Sequence, residues 1–72
     1  MRILKVLCGD NADLAALDEP VYERGKRFEA RRNGNVLARL RVVSGGPFPI
    51  CEVRDTEAAL DELEGAEVRK TR

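Results

Sequence analysis

From Val21 to Val43 apolar and charged side chains alternate closely enough to impose β-ribbon, and the ribbon is loaded with arginine. It carries seven basic residues (Arg24, Lys26, Arg27, Arg31, Arg32, Arg39, Arg41) against two acids, Glu23 and Glu29. Residues 44–68 reverse the balance, with seven acids and one base, Arg54. The formal net charge of zero is therefore a cancellation between two stretches of opposite sign. A chain that segregates charge in this way offers one surface to a polyanion or to an acidic partner.

The register of the ribbon follows from which side chains can share a face. Arg24-Gly25 reads as the bend of a first hairpin, with Gly25 in the left-handed region. Glu23 then faces Lys26, Tyr22 faces Arg27 and Val21 faces Phe28. For the second hairpin, a two-residue turn sets Phe28 opposite an arginine and mixes core with solvent. A three-residue loop, Asn33-Gly34-Asn35, sets Arg32 opposite Val36, Ala30 opposite Ala38 and Phe28 opposite Leu40. A slip of one residue turns every side chain over, so the three-residue loop is expected. The core face becomes Val21, Phe28, Ala30, Val36, Ala38, Leu40 and Val42. The open face becomes Tyr22, Arg27, Glu29, Arg31, Leu37, Arg39 and Arg41, with Glu29 opposite Arg39.

Around the ribbon the signals are shorter. Residues 2–8 are apolar on both parities except at Arg2 and Lys5, as in an interior strand. Between Gly9 and Pro20 the residues fit a short helix with Leu14 and Leu17 on one face, a single turn, or a loose connection. Residues 44–49 form a loop in which Phe48, between two prolines, reads as a plug on the core edge. Ile50–Arg54 reads as a short edge strand. Asp55 or Thr56 then caps a helix through Glu64, with Glu57 in its first turn and Gly65 at its end. Ala59, Leu60 and Leu63 make its buried stripe, and residues 66–72 are too short to add much. The expected fold class is α+β: a single domain over residues 1–72, a small antiparallel β-meander of three to five strands. One main helix packs on one face and the other face is open. Leu4 or Leu7, Leu60 and Leu63 are expected to join the ribbon in the core.

Composition excludes several functions. With 72 residues the chain buries roughly 60% of its unfolded surface, so each large apolar side chain matters. It has no histidine, and its two cysteines, Cys8 and Cys51, lie 43 positions apart, which fits reduced, partly buried thiols rather than a disulfide framework or a zinc site. General acid–base work falls to carboxylates, and Asp61, Glu62 and Glu64 read as a solvated helix face. No phosphate-binding glycine loop or calcium loop is complete. The chain is therefore expected to be non-enzymatic and free of cofactors. Neither a membrane span nor a signal peptide is visible, so a cytoplasmic protein is expected.

Several short stretches resemble a known family. Val21-Tyr22-Glu23-Arg24-Gly25, then Phe28 and Ala30-Arg31, is similar to a hairpin of the phage-encoded anti-CRISPR proteins first described as inhibitors of the type I-F surveillance complex. The opening residues through Leu7, and Asp55-Thr56-Glu57 with Leu60, resemble the first strand and the first helix of that family. The resemblance covers roughly residues 1–60. It implies a protein that binds the subunits coating the guide RNA in a type I CRISPR complex and so blocks target DNA. It also implies a sheet with helices on one face and the partner on the other. Tyr22 matches a binding tyrosine of the family, whereas another falls at Val6 and an important acid falls at Asn33, which leaves open the exact epitope and the target, a type I complex of another subtype or another type of CRISPR protein included. The expected protein-binding set is Tyr22, Arg27, Arg31, Asn33, Arg39 and Arg41. Direct contact of the arginines with nucleic-acid phosphates is the alternative, which a pI near 6.3 and a single stacking candidate, Tyr22, support weakly.

Overall fold

The computed structural model describes residues 1–56 and 58–71. Among the described residues, six strands and one helical turn make up the regular structure: β1 (Ile3–Leu7), β2 (Leu14–Leu17), β3 (Arg27–Arg32), β4 (Asn35–Ser44), β5 (Ile50–Arg54), α1 (Leu60–Leu63) and β6 (Glu67–Lys70). The strands form one antiparallel sheet in the order β1-β2-β5-β4-β3-β6. The sheet curls until its two ends touch. Arg2 bridges Glu67, the Val68 amide donates to Met1 O at 2.8 Å, and the Ile3 amide donates to Ala66 O at 3.1 Å. Beyond Ile3, β1 has only β2 beside it among the described residues. The fold is thus predominantly β, a curled half-barrel, and not the expected meander with a main helix layered on it.

The interior of the curl is the core. It contains Ile3, Ala15, Leu17, Phe28, Ala30, Ala38, Leu40, Val42, Cys51, Leu63, Ala66 and Val68. Alternation places Phe28 and Ala30 of β3, and Ala38, Leu40 and Val42 of β4, on this side as expected. Ile3, rather than Leu4 or Leu7, fills the place reserved for β1. A bulge between Ile3 and Lys5 opposite Leu17 and Ala16 re-aims the strand, so that Val6 packs on the core while Leu4 and Leu7 remain exposed.

The second hairpin reaches the expected pairing by a different route. Phe28 lies opposite Leu40 and Ala30 opposite Ala38, yet Arg32 pairs with Asn35 and Arg31 with Val36. The loop is therefore the two-residue Asn33-Gly34, with φ of 53° and 81°, as a type I′ turn requires. A bulge at Leu37 absorbs the extra residue and restores the faces on the far side. Val36, expected in the core, is turned outward by that bulge and is exposed.

The first hairpin does not form. β3 has β4 on one side and β6 on the other, so no edge is left for residues 21–26. Gly25 does adopt a left-handed φ of 80°, but its amide donates to Val42 O, and Val21 pairs with Gly46. At Gly45 a side chain would bring Cβ within 2.6 Å of the Tyr22 carbonyl oxygen, so only glycine fits this crossing.

Other elements also depart from the sequence reading. Leu14–Leu17 is a strand because β1 and β5 pair on its two sides, burying Ala15 and Leu17, whereas so short a helix lacks the turns to offset nucleation. Residues 67–70 form β6, which takes the edge of β3. The expected helix shrinks to Leu60–Leu63, with Ala59 at its N-cap and only Leu63 buried. Asp55 turns left-handed (φ 50°), and the Thr56 hydroxyl donates to Ala58 O, so neither caps it. Glu57, expected in its first turn, lies outside the described residues. Ala59 is exposed rather than buried. Phe48 is 62% exposed and plugs nothing; Pro49 is buried in its stead and its carbonyl receives the Leu17 amide. No helix among the described residues is long and apolar enough to cross a membrane.

Phe28 is the one aromatic ring in the core and sits on the central strand pair. Its replacement by alanine is expected to cost about 3–5 kcal/mol, most of the stability of so small a domain. Urea unfolding of Phe28→Ala measures this, and a loss below about 1 kcal/mol contradicts the packing described.

Candidate functional site

The outer face of the curl is where the arginines gather. β3, β4, β5 and β6 project Arg27, Arg31, Arg39, Arg41, Arg54 and Arg69 outward with three carboxylates, Glu29, Glu52 and Glu67. A Glu-x-Arg step recurs on three strands, Glu29-Ala30-Arg31, Glu52-Val53-Arg54 and Glu67-Val68-Arg69. Period two puts both charged members of each step on one face. Each acid pairs with the arginine of its own strand: Glu29 with Arg31 at 3.5 Å, Glu67 with Arg69 at 2.6 Å, and Glu52 with Arg54.

These pairs compensate the centre of the face only in part, since Glu52, held by Arg54, also stands opposite Arg41 and feels its charge. Arg27, Arg39 and Arg41 make no ion pair among the described residues. Arg27 stands directly opposite Arg41 across β3–β4, and Arg39 stands directly opposite Arg54 across β4–β5. The expected Glu29–Arg39 opposition is present, but the Glu29 carboxylate is turned to Arg31. The Nε–H of Arg41 is buried and finds no hydrogen-bond partner among the described residues. Like charges directly opposite on a sheet are destabilising, so packing alone does not account for this arrangement.

Arg27, Arg39, Arg41 and Arg54 line one depression of about 450 Å³, together with Asp55, Thr71 and the β3–β4 backbone at Phe28 and Leu40. The other expected site residues lie elsewhere. Arg31 is tied at the turn end, donating to Gly34 O at 3.0 Å as well as to Glu29, and it lines a second depression with Arg39, Arg69 and Lys70. Asn33 occupies the tip of the turn, where its positive φ serves the backbone. Tyr22 is 72% exposed but sits on the connection before β3, in a third depression with Met1, Lys26 and Lys70. Among the described residues only Phe28 borders both the Tyr22 depression and the main arginine depression. The sequence reading therefore finds three of the four clustered arginines and misses Arg54 and Arg69. The recurring Glu-x-Arg step is the signal that points to them.

Titration follows from the ion pairs. The hydrogen bond from Arg54 holds the Glu52 carboxyl below its usual value, and Arg69 does the same for Glu67. Both pairings are intact above the ordinary carboxylate value and are lost as pH falls through the lowered one. Among the described residues no cluster of three metal-ligating side chains occurs. The thiols are separate rather than paired: Cys8 is exposed, while burial pushes Cys51 up to about 11. Comparison with protein-family models, with curated proteins and with solved structures found no match to this chain.

Two outcomes test this description. Arg27→Glu converts a like-charge cross-strand pair into an opposite one and should raise stability by roughly 0.2–1 kcal/mol, read from the urea midpoint. In the native protein a maleimide should modify Cys8 quickly and Cys51 only on unfolding; two equally fast thiols contradict the buried position of Cys51.

Proposed function

We propose that this protein is a non-enzymatic binding module that engages phosphate groups of an acidic macromolecule through the outer face of β3, β4 and β5. The observation that supports it most is the set of four arginines around one depression, two cross-strand pairs of like charge in which only Arg54 has an ion-pair partner, Glu52, among the described residues. Arginine is suited to this because its planar fork meets two anionic oxygens at once. The exposed tyrosine lies outside the depression, which favours recognition of a phosphate backbone over stacking of bases.

A second reading takes the form that the anti-CRISPR resemblance implies. In it the protein docks on the subunits coating the guide RNA of a bacterial type I surveillance complex, in the host cytoplasm, and keeps target DNA out. The high exposure of Tyr22, the residue matched to a binding tyrosine of that family, supports this reading. The curled sheet without a helical layer departs from the architecture that the resemblance implies and weighs against it.

Anisotropy of a labelled oligonucleotide, followed from low to physiological salt, separates the two. Phosphate contact by three or four arginines predicts affinity that weakens as salt rises, with a log–log slope of about 2–3 for a single strand. Arg39→Glu should abolish binding while Tyr22→Ala changes it little. Absence of binding at low salt, together with inhibition of a guide-loaded complex that Tyr22→Ala removes and Glu62→Lys spares, replaces the first reading with the second.

A further inference from the structure

We infer that the depression formed by Arg27, Arg39, Arg41 and Arg54 is a discrete site for a single phosphate group, not merely a stretch of positive surface. The inference deepens the proposed function and rests on its choice of working face. Its chemical basis is narrower. Arg39 and Arg41 are two apart on β4 and so point the same way, while Arg27 and Arg54 flank them on the neighbouring strands. Adjacent strands lie about 4.8 Å apart and alternate residues about 6.7 Å, so the four side chains root at the corners of a small quadrilateral. Guanidiniums rooted that closely repel one another unless an anion sits between them.

The nearby carboxylates fill that role only in part, since Glu52 pairs with Arg54 and stands opposite Arg41 but leaves Arg27 and Arg39 unmatched. Glu29 is turned aside to Arg31, and Asp55, the one acid among the described residues of the lining, makes no ion pair among them. The pairing with Glu52 also holds the Arg54 side chain in place along β5. Arg41 supplies the second, independent observation: its buried Nε–H carries a hydrogen that nothing among the described residues accepts. A buried donor of this kind is costly unless it is matched, and a shift of the Arg41 side chain toward a bound oxyanion relieves that cost. The class of anion follows from the number of guanidiniums. A carboxylate has two oxygens and satisfies one fork, whereas a phosphate offers three or more oxygens in different directions and bridges several. Sites where local rules of charge placement are broken are where function is expected.

The test uses the intact folded chain at constant ionic strength and follows arginine Nε–H signals by NMR during titration with inorganic phosphate. Saturable shifts confined to Arg27, Arg39, Arg41 and Arg54 are expected, strongest at Arg41. Arg41→Gln and Arg39→Gln should each weaken phosphate binding at least tenfold. Arg24→Gln, at the exposed bend, should leave it unchanged. Arg39→Gln keeps the test decisive should Arg41→Gln fail to fold. Shifts that never saturate, that spread evenly over all the arginines, or that Arg24→Gln reduces as much, overturn the site. A labelled oligonucleotide forms the second arm. Saturable phosphate binding without oligonucleotide binding keeps the site and removes the macromolecular reading. Oligonucleotide binding without a saturable phosphate response does the reverse.

Discussion

Alternate residues of β4 point to opposite sides of the sheet, and both the core and the arginine face are built on that alternation. Ala38, Leu40 and Val42 face inward, while Arg39 and Arg41 face outward between them. β4 is the longest strand, at ten residues, and it joins β3 to β5. A register error on either side would bury guanidiniums and expose leucine, so the parity of this strand is strongly enforced. Its two irregularities, at Leu37 and at Val43, bend the strand without losing that parity in the middle.

The curl of the sheet depends on residue size as well as polarity. Ala15, Ala30, Ala38 and Ala66 share the interior with Leu17, Phe28, Leu40 and Leu63. Small side chains beside large ones let a narrow curl fill its own inside without a second layer. This explains why one helical turn suffices where a flat meander would have needed a covering helix. α1 contributes little beyond Leu63, and the sheet encloses the rest.

Residues 27–42 were legible in the sequence because one face is apolar and the other charged, leaving a single register that keeps them apart. The loop length was misjudged because a bulge offers a second way to reconcile an odd residue, and no residue type at Leu37 announces it. β2 and β6 were illegible for another reason: each is four residues long and becomes a strand through its neighbours. The failed first hairpin follows from β6, since a segment unseen in the sequence occupies the edge that the hairpin needed. For the candidate site, Arg27, Arg39 and Arg41 followed from the ribbon alone. The Glu-x-Arg step marks Arg54 as an outward arginine, but placing it beside Arg39 required knowing that β5 lies beside β4, and the separation of Tyr22 required knowing that its segment crosses to Gly46.

The far part of β1, past the contact of Arg2 and Ile3 with the other end of the sheet, is paired on one side only among the described residues. Its free hydrogen-bonding groups run beside exposed Leu4 and Leu7, which is the composition of a strand that recruits a neighbour in a crowded solution. Lys5 stands between them, and a charge in that position opposes the stacking of identical chains, because each copy would bring its own ammonium against the next. Resistance of this edge to pairing with another copy then rests on one lysine. Shielding of that charge by salt weakens the safeguard at the same time as it weakens any hold on a polyanion.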